Sequence, residues 1–205
     1  MGRVRRRVVR AYIGLGANVG DAEATLAEAV HALDALPGCG VRGVSRLYAT
    51  TPVGVTGQPE FRNAAVALDV AVAAGIEPEE AALGLLVALK DIERGFGRQR
   101  RERWGPREAD LDLLVFGRHS ISVKRPEAGR SADPAKAGLP LAVPHVEAQR
   151  RLFVLAPLSD LAPNLVPPGW GETVATAAAR QRRVEGAEAA RPNASWDGER
   201  WRPVS

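Results

Sequence analysis

Residues 103–117 read RWGPREADLDLLVFG. Inside an otherwise apolar run, Asp110 and Asp112 alternate with leucines. That is the period of a strand, so both carboxylates share one face with Cα atoms about 6.6 Å apart. Two ionised carboxylates so close repel each other unless a proton, an arginine or a metal compensates. Oxygen-only donors favour Mg²⁺, which keeps several waters and accepts one or two carboxylates plus phosphate oxygens. Directly before the pair, the stretch from Arg94 to Arg107 holds six arginines and Trp104. Metal ligands beside arginines are the equipment of phosphoryl transfer. The same residues would also make a plain salt-bridge network at a sheet edge, and D-x-D alone does not choose between the two.

Other phosphate cradles are missing. No G-x-x-x-x-G-K-[ST] occurs, and the glycines of GLGANVG are too few and wrongly spaced for a dinucleotide fingerprint. Phosphates must therefore be held mainly by side chains. A second basic cluster, GRVRRRVVR at the N-terminus, reads as a solubilising arm or a nucleic-acid contact. Of the histidines, His145 follows a proline in VPHVEAQRR, whereas His31 and His119 read as ordinary surface or capping residues.

The elements that must position these groups follow from periodicity. VVRAYIGLGA reads as a first strand, and Asp21 as the cap of a helix whose buried face is Leu26, Ala29, Val30 and Leu33. A second strand spans roughly Val41 to Ala49, and the prolines and glycines of TTPVGVTGQPE then impose a shaped loop. FRNAAVALDVAV resumes as a strand. Pro78 opens a helix with Ala82, Leu83, Leu86, Val87 and Leu89 toward the core. The carboxylate strand DLDLLVF comes next, so the pattern is an α+β sheet covered by helices. Residues 124–140 are too poor in apolar side chains to pack and read as a flexible insertion. Near the C-terminus, Asp197-Gly198 is placed to turn a small hairpin.

The chain has 205 residues, 45% apolar and 25% charged, with a net charge of +4, which suits one main domain. The organisation expected is a basic arm (1–7), a catalytic domain (8–175) containing the insertion 124–140, and a C-terminal extension (176–205). The single cysteine, Cys39, excludes an intramolecular disulfide. With neither a secretory apolar segment nor a membrane-length apolar run, a reducing, cytoplasmic setting is expected.

Four separated segments, YIGLGANVGD, TTPVGVTGQPEFRNAAVAL, GRQRRERWGPREADLDLLVFG and VPHVEAQRRLFVLAPLSDLAP, together resemble one family, 6-hydroxymethyl-7,8-dihydropterin pyrophosphokinase. The resemblance implies an α+β fold with a ferredoxin-like core and a mostly antiparallel sheet flanked by helices. It implies transfer of pyrophosphate from ATP to a pterin alcohol, giving AMP and the pterin diphosphate in folate biosynthesis, with two Mg²⁺ ions and a monomeric chain. It also implies roles. Asp110 and Asp112 would bind the metals, and with Arg98 and Arg107 would be the catalytic set. Glu93, Arg98, Arg100, Arg103, Trp104, Arg107, Leu113, His145 and Arg151 would meet ATP. Thr50, Val53, Phe61, Asn63, Trp104 and Phe153 would form the pterin site, and the loop from Gly95 to Arg107 would act as a lid.

The pterin roles suit the chemistry, since a flat ring with an amide-like edge is sandwiched by phenylalanines and read by a carboxamide. Some positions depart from the family pattern. PLAVPH puts Pro140 and Ala142 where relatives commonly carry an arginine and a threonine, Val146 replaces an aromatic or proline, and Ala109 replaces a leucine before the first aspartate. A reading from another class is a non-catalytic basic nucleic-acid-binding domain with a ferredoxin-like core, set against by aspartates that would repel phosphate unless cation-filled. Neither the insertion nor the tail beyond Ala190 contains a matched site residue, which predicts that both are dispensable for the chemistry.

Overall fold

The computed structural model describes residues 6–50, 59–96, 109–131 and 137–204. The first strand, β1 (Arg6–Ala17), alternates strictly, burying Val9, Ala11, Ile13, Leu15 and Ala17 against the main core. Asp21 caps α1 (Ala22–Asp34) by accepting the Ala24 N–H at 3.0 Å, and the helix buries Leu26, Ala29, Val30 and Leu33 as its spacing predicts.

The strand read at 41–49 is two: β2 (Cys39–Val44) and β3 (Leu47–Thr50). Both lie on the same edge of the 13-residue strand β4 (Phe61–Ala73), β2 along Val66–Val70 and β3 along Phe61–Asn63. The break comes at Ser45, whose hydroxyl accepts the Ala65 N–H at 2.8 Å and replaces a ladder bond. No local sequence period marks such a switch, because the competing acceptor is a side chain.

Helix α2 (Pro78–Gly95) buries Ala82, Leu85, Leu86, Leu89, Lys90 and Glu93. Its core face is rotated from the expected one, leaving Val87 only partly buried, and it continues through two charged residues to the helix end. The carboxylate strand is β5 (Asp110–Phe116). A short ribbon of β6 (Ile121–Val123) and β7 (Leu141–Val143) follows, then α3 (Leu152–Leu161), α4 (Val174–Glu185) and a hairpin of β8 (Arg191–Trp196) and β9 (Trp201–Pro203).

The main sheet runs β5-β1-β4-β3-β8-β9, with β2 also on β4, and every pairing in it is antiparallel. Helices α1 and α2 cover one face. On the other, α3 and α4 cover Tyr12, Leu114 and Val115.

Part of the 124–140 segment packs after all. A 3-10 turn at Glu127–Gly129 lies on α2, where Gly129 is buried and a Cβ on it would stand 3.2 Å from Leu86 Cδ2. A missing side chain, rather than apolar bulk, allows that approach. Residues 132–136 lie outside the described residues. The expected boundary at 175/176 falls inside α4. The last residues form the hairpin read from Asp197-Gly198, with Gly198 at φ +108° and Asp197 Oδ1 accepting the N–H groups of Glu199 and Arg200. Far from being an appendage, β8 extends the main sheet beside β3, and Trp201 is buried in the main core, donating from Nε1 to the Ser45 carbonyl at 2.9 Å.

Candidate active site

In β5, Leu111 and Leu113 point into the main core, so Asp110 and Asp112 stand together on the opposite face, half-buried. Register carries that face across the sheet. Asp110 lies opposite Gly16 and Asp112 opposite Gly14 in β1, and Gly16 in turn lies opposite Asn63 in β4. The row therefore reads Asp110, Gly16, Asn63, Tyr48. Gly16 is needed there, since a Cβ on it would sit 3.0 Å from Asn63 Oδ1. Gly16, without a side chain, thus leaves a shallow trough between Asp110 and the carboxamide, while the space above Gly14 is taken by the Leu114 side chain.

At the far side of the trough, buried Asn63 donates from Nδ2 to Thr50 Oγ1 at 2.7 Å. The two residues are diagonal cross-strand neighbours, and Phe61, directly opposite Thr50, shares their face. Tyr48 continues the row under α3, packing with Leu152 and Ala156. Phe153 follows Leu152 at the start of that helix, and the Arg151 guanidinium lies 5.8 Å from its ring centre. The Tyr48 hydroxyl is pushed up to about 12 by burial and by Asp160, to which it donates at 3.0 Å, so it is a neutral donor at ordinary pH.

At the other side, the His145 N–H donates to the Leu114 carbonyl at 2.9 Å, tying the chain after β7 to β5 two residues beyond Asp112. His145 Nδ1 accepts the Glu147 N–H at 3.3 Å, which leaves the opposite ring nitrogen as the donor of a neutral imidazole. Arg151 pairs with Glu147 at 3.3 Å. Leu113 is buried with its side chain on the core face, so a nucleotide on the carboxylate face meets its backbone only.

Glu93 is neither a solvent-facing helix residue nor open to the trough by its position. It is 1% exposed, and its Oε1 accepts both the Leu111 N–H at 2.7 Å and Lys90 Nζ at 2.7 Å. Lys90 Nζ also donates to the Leu111 carbonyl at 3.1 Å. The end of α2 thus clamps both backbone groups of the residue between the two aspartates, on the edge of the sheet where no further strand pairs among the described residues. Lys90 and Gly16 are the contributors that motif reading missed. The signal for Lys90 was its helical spacing from Leu86 and Glu93, on the stripe that also carries Ala82 and Leu89; Gly16 lies in the segment YIGLGANVGD, which carries the family resemblance without assigning that glycine a role.

Val53, Arg98, Arg100, Arg103, Trp104 and Arg107, and with them the expected lid from 97 onward, lie outside the described residues. Two half-buried carboxylates on one strand face, with no cluster of three His, Cys, Asp or Glu among the described residues, suit a hydrated oxygen-seeking dication that completes its shell from water and substrate. They do not suit a closed zinc-type cage.

A family model described as 7,8-dihydro-6-hydroxymethylpterin-pyrophosphokinase matches residues 12–163. The chain belongs to this pyrophosphokinase family. A 2-amino-4-hydroxy-6-hydroxymethyldihydropteridine pyrophosphokinase of Methylorubrum extorquens is 41% identical over 173 residues, 84% of this chain and 94% of the relative. One from Bacillus subtilis is 40% identical over 151 residues, 74% and 77% of the two chains. Among solved structures, Plasmodium falciparum HPPK-DHPS superposes with a TM-score of 0.71 over 98% of this chain at 16% identity, which speaks for the fold. This chain spans 49% of that longer one. The pyrophosphokinase is therefore an enzyme that transfers pyrophosphate from ATP to 6-hydroxymethyl-7,8-dihydropterin in folate biosynthesis, and the nucleic-acid-binding reading is not favoured. No helix among the described residues is long and apolar enough to cross a membrane.

Proposed function

We propose that the trough across β5, β1 and β4 is where the two substrates meet, with the nucleotide phosphates on the Asp110/Asp112 side and the pterin on the Thr50/Asn63 side. The observation that carries this reading is the shared row, in which Gly16 alone separates Asp110 from Asn63. In this reading Asn63 meets the amide-like edge of the pterin, Thr50 orients the carboxamide, and Phe61 and Phe153 cover the ring faces. His145 and Arg151 donate to phosphate or ribose oxygens. Arg98, Arg100, Arg103 and Arg107 supply further positive charge from the segment that precedes β5 in the sequence, and Leu113 contributes its backbone.

Asp110 and Asp112 would hold two Mg²⁺ ions, which when bound neutralise triphosphate charge and lower the pKa of the pterin hydroxyl. The chain's own part is positional. Asn63 and Thr50 fix the pterin so that its hydroxymethyl oxygen faces the β-phosphorus in line, which removes the entropic cost of finding that geometry. The bond from that oxygen to phosphorus forms, the bond from phosphorus to the oxygen bridging to the α-phosphate breaks, and AMP leaves with the electron pair. The hydroxyl proton passes to the medium. Lys90 and Glu93 keep the two carboxylates in register by holding Leu111. The enzyme acts as a monomer on small molecules only, in a reducing, cytoplasmic setting that suits its single cysteine.

The test is an ATP- and Mg²⁺-dependent assay with AMP and pterin diphosphate resolved by mass, run on the parent chain and on Asp112→Asn. Loss of a mostly electrostatic transition-state contact costs about 3 to 4 kcal/mol, roughly a hundredfold to a thousandfold in rate. The variant should lose that much with an unchanged circular dichroism spectrum. Turnover within tenfold of the parent at saturating Mg²⁺ would remove the carboxylate pair from the site.

A further inference from the structure

The C-terminal hairpin lies outside the family-matched segment 12–163, yet it reaches the strands that carry the pterin-side residues. Its strand β8 pairs with β3, placing Arg191 opposite Ala49, and Ala49 lies opposite Arg62 in β4. Arg191 and Arg62 thus share one row and one face, the face opposite Phe61 and Asn63. Their side chains meet at Glu60, with Arg191 Nη2 donating to Oε1 at 2.6 Å and Arg62 Nη1 to Oε2 at 3.3 Å. Arg62 Nε also donates to Glu23 Oε1 at 3.3 Å, and Asn193 Nδ2 donates to the same oxygen at 2.9 Å. The result is a ring from Arg191 through Glu60, Arg62 and Glu23 back to Asn193, tying β8 to the start of β4 and the first turn of α1.

The hairpin is itself well anchored. Trp201 donates to the Ser45 carbonyl, Trp196 and Trp201 pack edge to face at 4.7 Å, and His31 of α1 hydrogen-bonds the Glu199 carbonyl at 2.9 Å. A group fixed at one end by a buried indole is able to transmit position to the other.

We propose that the hairpin is a positioning element for pterin binding, acting through Arg191 and Asn193 on Arg62 and so on its two neighbours, Phe61 and Asn63. The proposal rests on the pterin placement given above. Glu60 and Arg62 sit where the chain enters β4, so among the described residues that entry is otherwise held by the short ladder to β3, by β1 and by Asn18 donating to the Pro59 carbonyl at 3.5 Å. Phe61 and Asn63 then sample a wider set of positions, and the ordering is charged to pterin binding instead. The nucleotide side, built on β5 and the end of α2, is spared.

Point variants in the full chain test this, since deleting the hairpin would open the core around Trp201. Steady-state KM for the pterin, KM for ATP and kcat are measured for Arg191→Ala, Asn193→Ala, the double variant and Arg191→Lys. An exposed ion pair of this kind is worth about twofold to fivefold in an equilibrium constant, so each alanine variant should raise KM for the pterin by that factor. The double variant should raise it more, with kcat and KM for ATP within about twofold. Arg191→Lys should recover most of the loss. Asn63→Ala runs in parallel. If it raises the pterin KM while the Arg191 and Asn193 variants do not, the positioning role is overturned and the pterin site stands. If Asn63→Ala also leaves the pterin KM unchanged, the pterin placement itself has failed. An equal change in both KM values, or a fall in kcat that tracks a lowered Tm, would make the ring a stability feature and overturn the proposal.

Discussion

Replacing Glu93 by glutamine keeps the side chain's shape and an oxygen for the Leu111 N–H, but removes the charge that Lys90 faces. Both residues are buried, Glu93 at 1% and Lys90 at 4% exposure, and their contact is 2.7 Å. Removing one partner of such a pair costs about 3 to 5 kcal/mol, because the other charge stays out of water without compensation. In a chain of this size each kcal/mol moves Tm by about 2 to 4 °C. Glu93→Gln should therefore melt about 6 °C or more below the parent, and Lys90→Met by a similar amount. The double variant has no charge left to desolvate and should regain at least half of the summed loss, a coupling of about 3 kcal/mol or more in urea titrations. Turnover is the second readout, because Leu111 lies between Asp110 and Asp112. The single variants should lower kcat at temperatures where they remain folded, with the double variant again intermediate. A loss of less than about 1 kcal/mol in Glu93→Gln is what an exposed ion pair would give, and would refute the clamp. A double variant no better than the worse single would show that packing, not charge, was lost.

Gly16→Ala brings a Cβ within 3.0 Å of Asn63 Oδ1 and turns the carboxamide off Thr50. Pterin affinity by calorimetry should weaken by about 1 to 3 kcal/mol, the cost of unpaired groups in a closed site, with ATP affinity nearly unchanged. Tyr48 gives a pH signature. Its folded pKa lies near 12 against an ordinary value of 10, so above pH 10 the unfolded chain loses this proton first and binds fewer protons than the native state. Stability should then fall as pH rises from 10 to 12, with a slope of at most about 1.4 kcal/mol per pH unit. Tyr48→Phe should flatten that part of the urea midpoint against pH, and an identical slope in both proteins would assign it to other groups.

What the sequence determines by itself is whatever a local period carries. Alternation in DLDLLVF is enough to set Asp110 and Asp112 on one face, since successive strand residues point to opposite sides whatever the partner strand is. Asp21 as a cap, Pro78 as a helix start and Asp197-Gly198 as a turn are legible for the same reason, each being an interaction within a few residues. The pyrophosphokinase motifs are legible as chemistry because residue type and spacing are what the substrates read. Which residues face one another across strands is decided only in three dimensions. Asn63 meets Asp110 across Gly16 because β1 lies between β4 and β5, although Asn63 is 47 positions from each of the other two in sequence. Ser45 breaks one strand into two because the Ala65 N–H arrives from elsewhere in the chain. Lys90 and Glu93, charged residues that a helix ordinarily turns to water, face inward because the edge of β5 offers a backbone N–H and a carbonyl that no strand among the described residues pairs. The alanine- and arginine-rich tail becomes part of the sheet because β3 has an open edge and the Ser45 carbonyl needs a donor, which Trp201 supplies from 156 residues away. Unpaired backbone groups must be satisfied wherever the fold leaves them, and where it leaves them is a property of the packed chain.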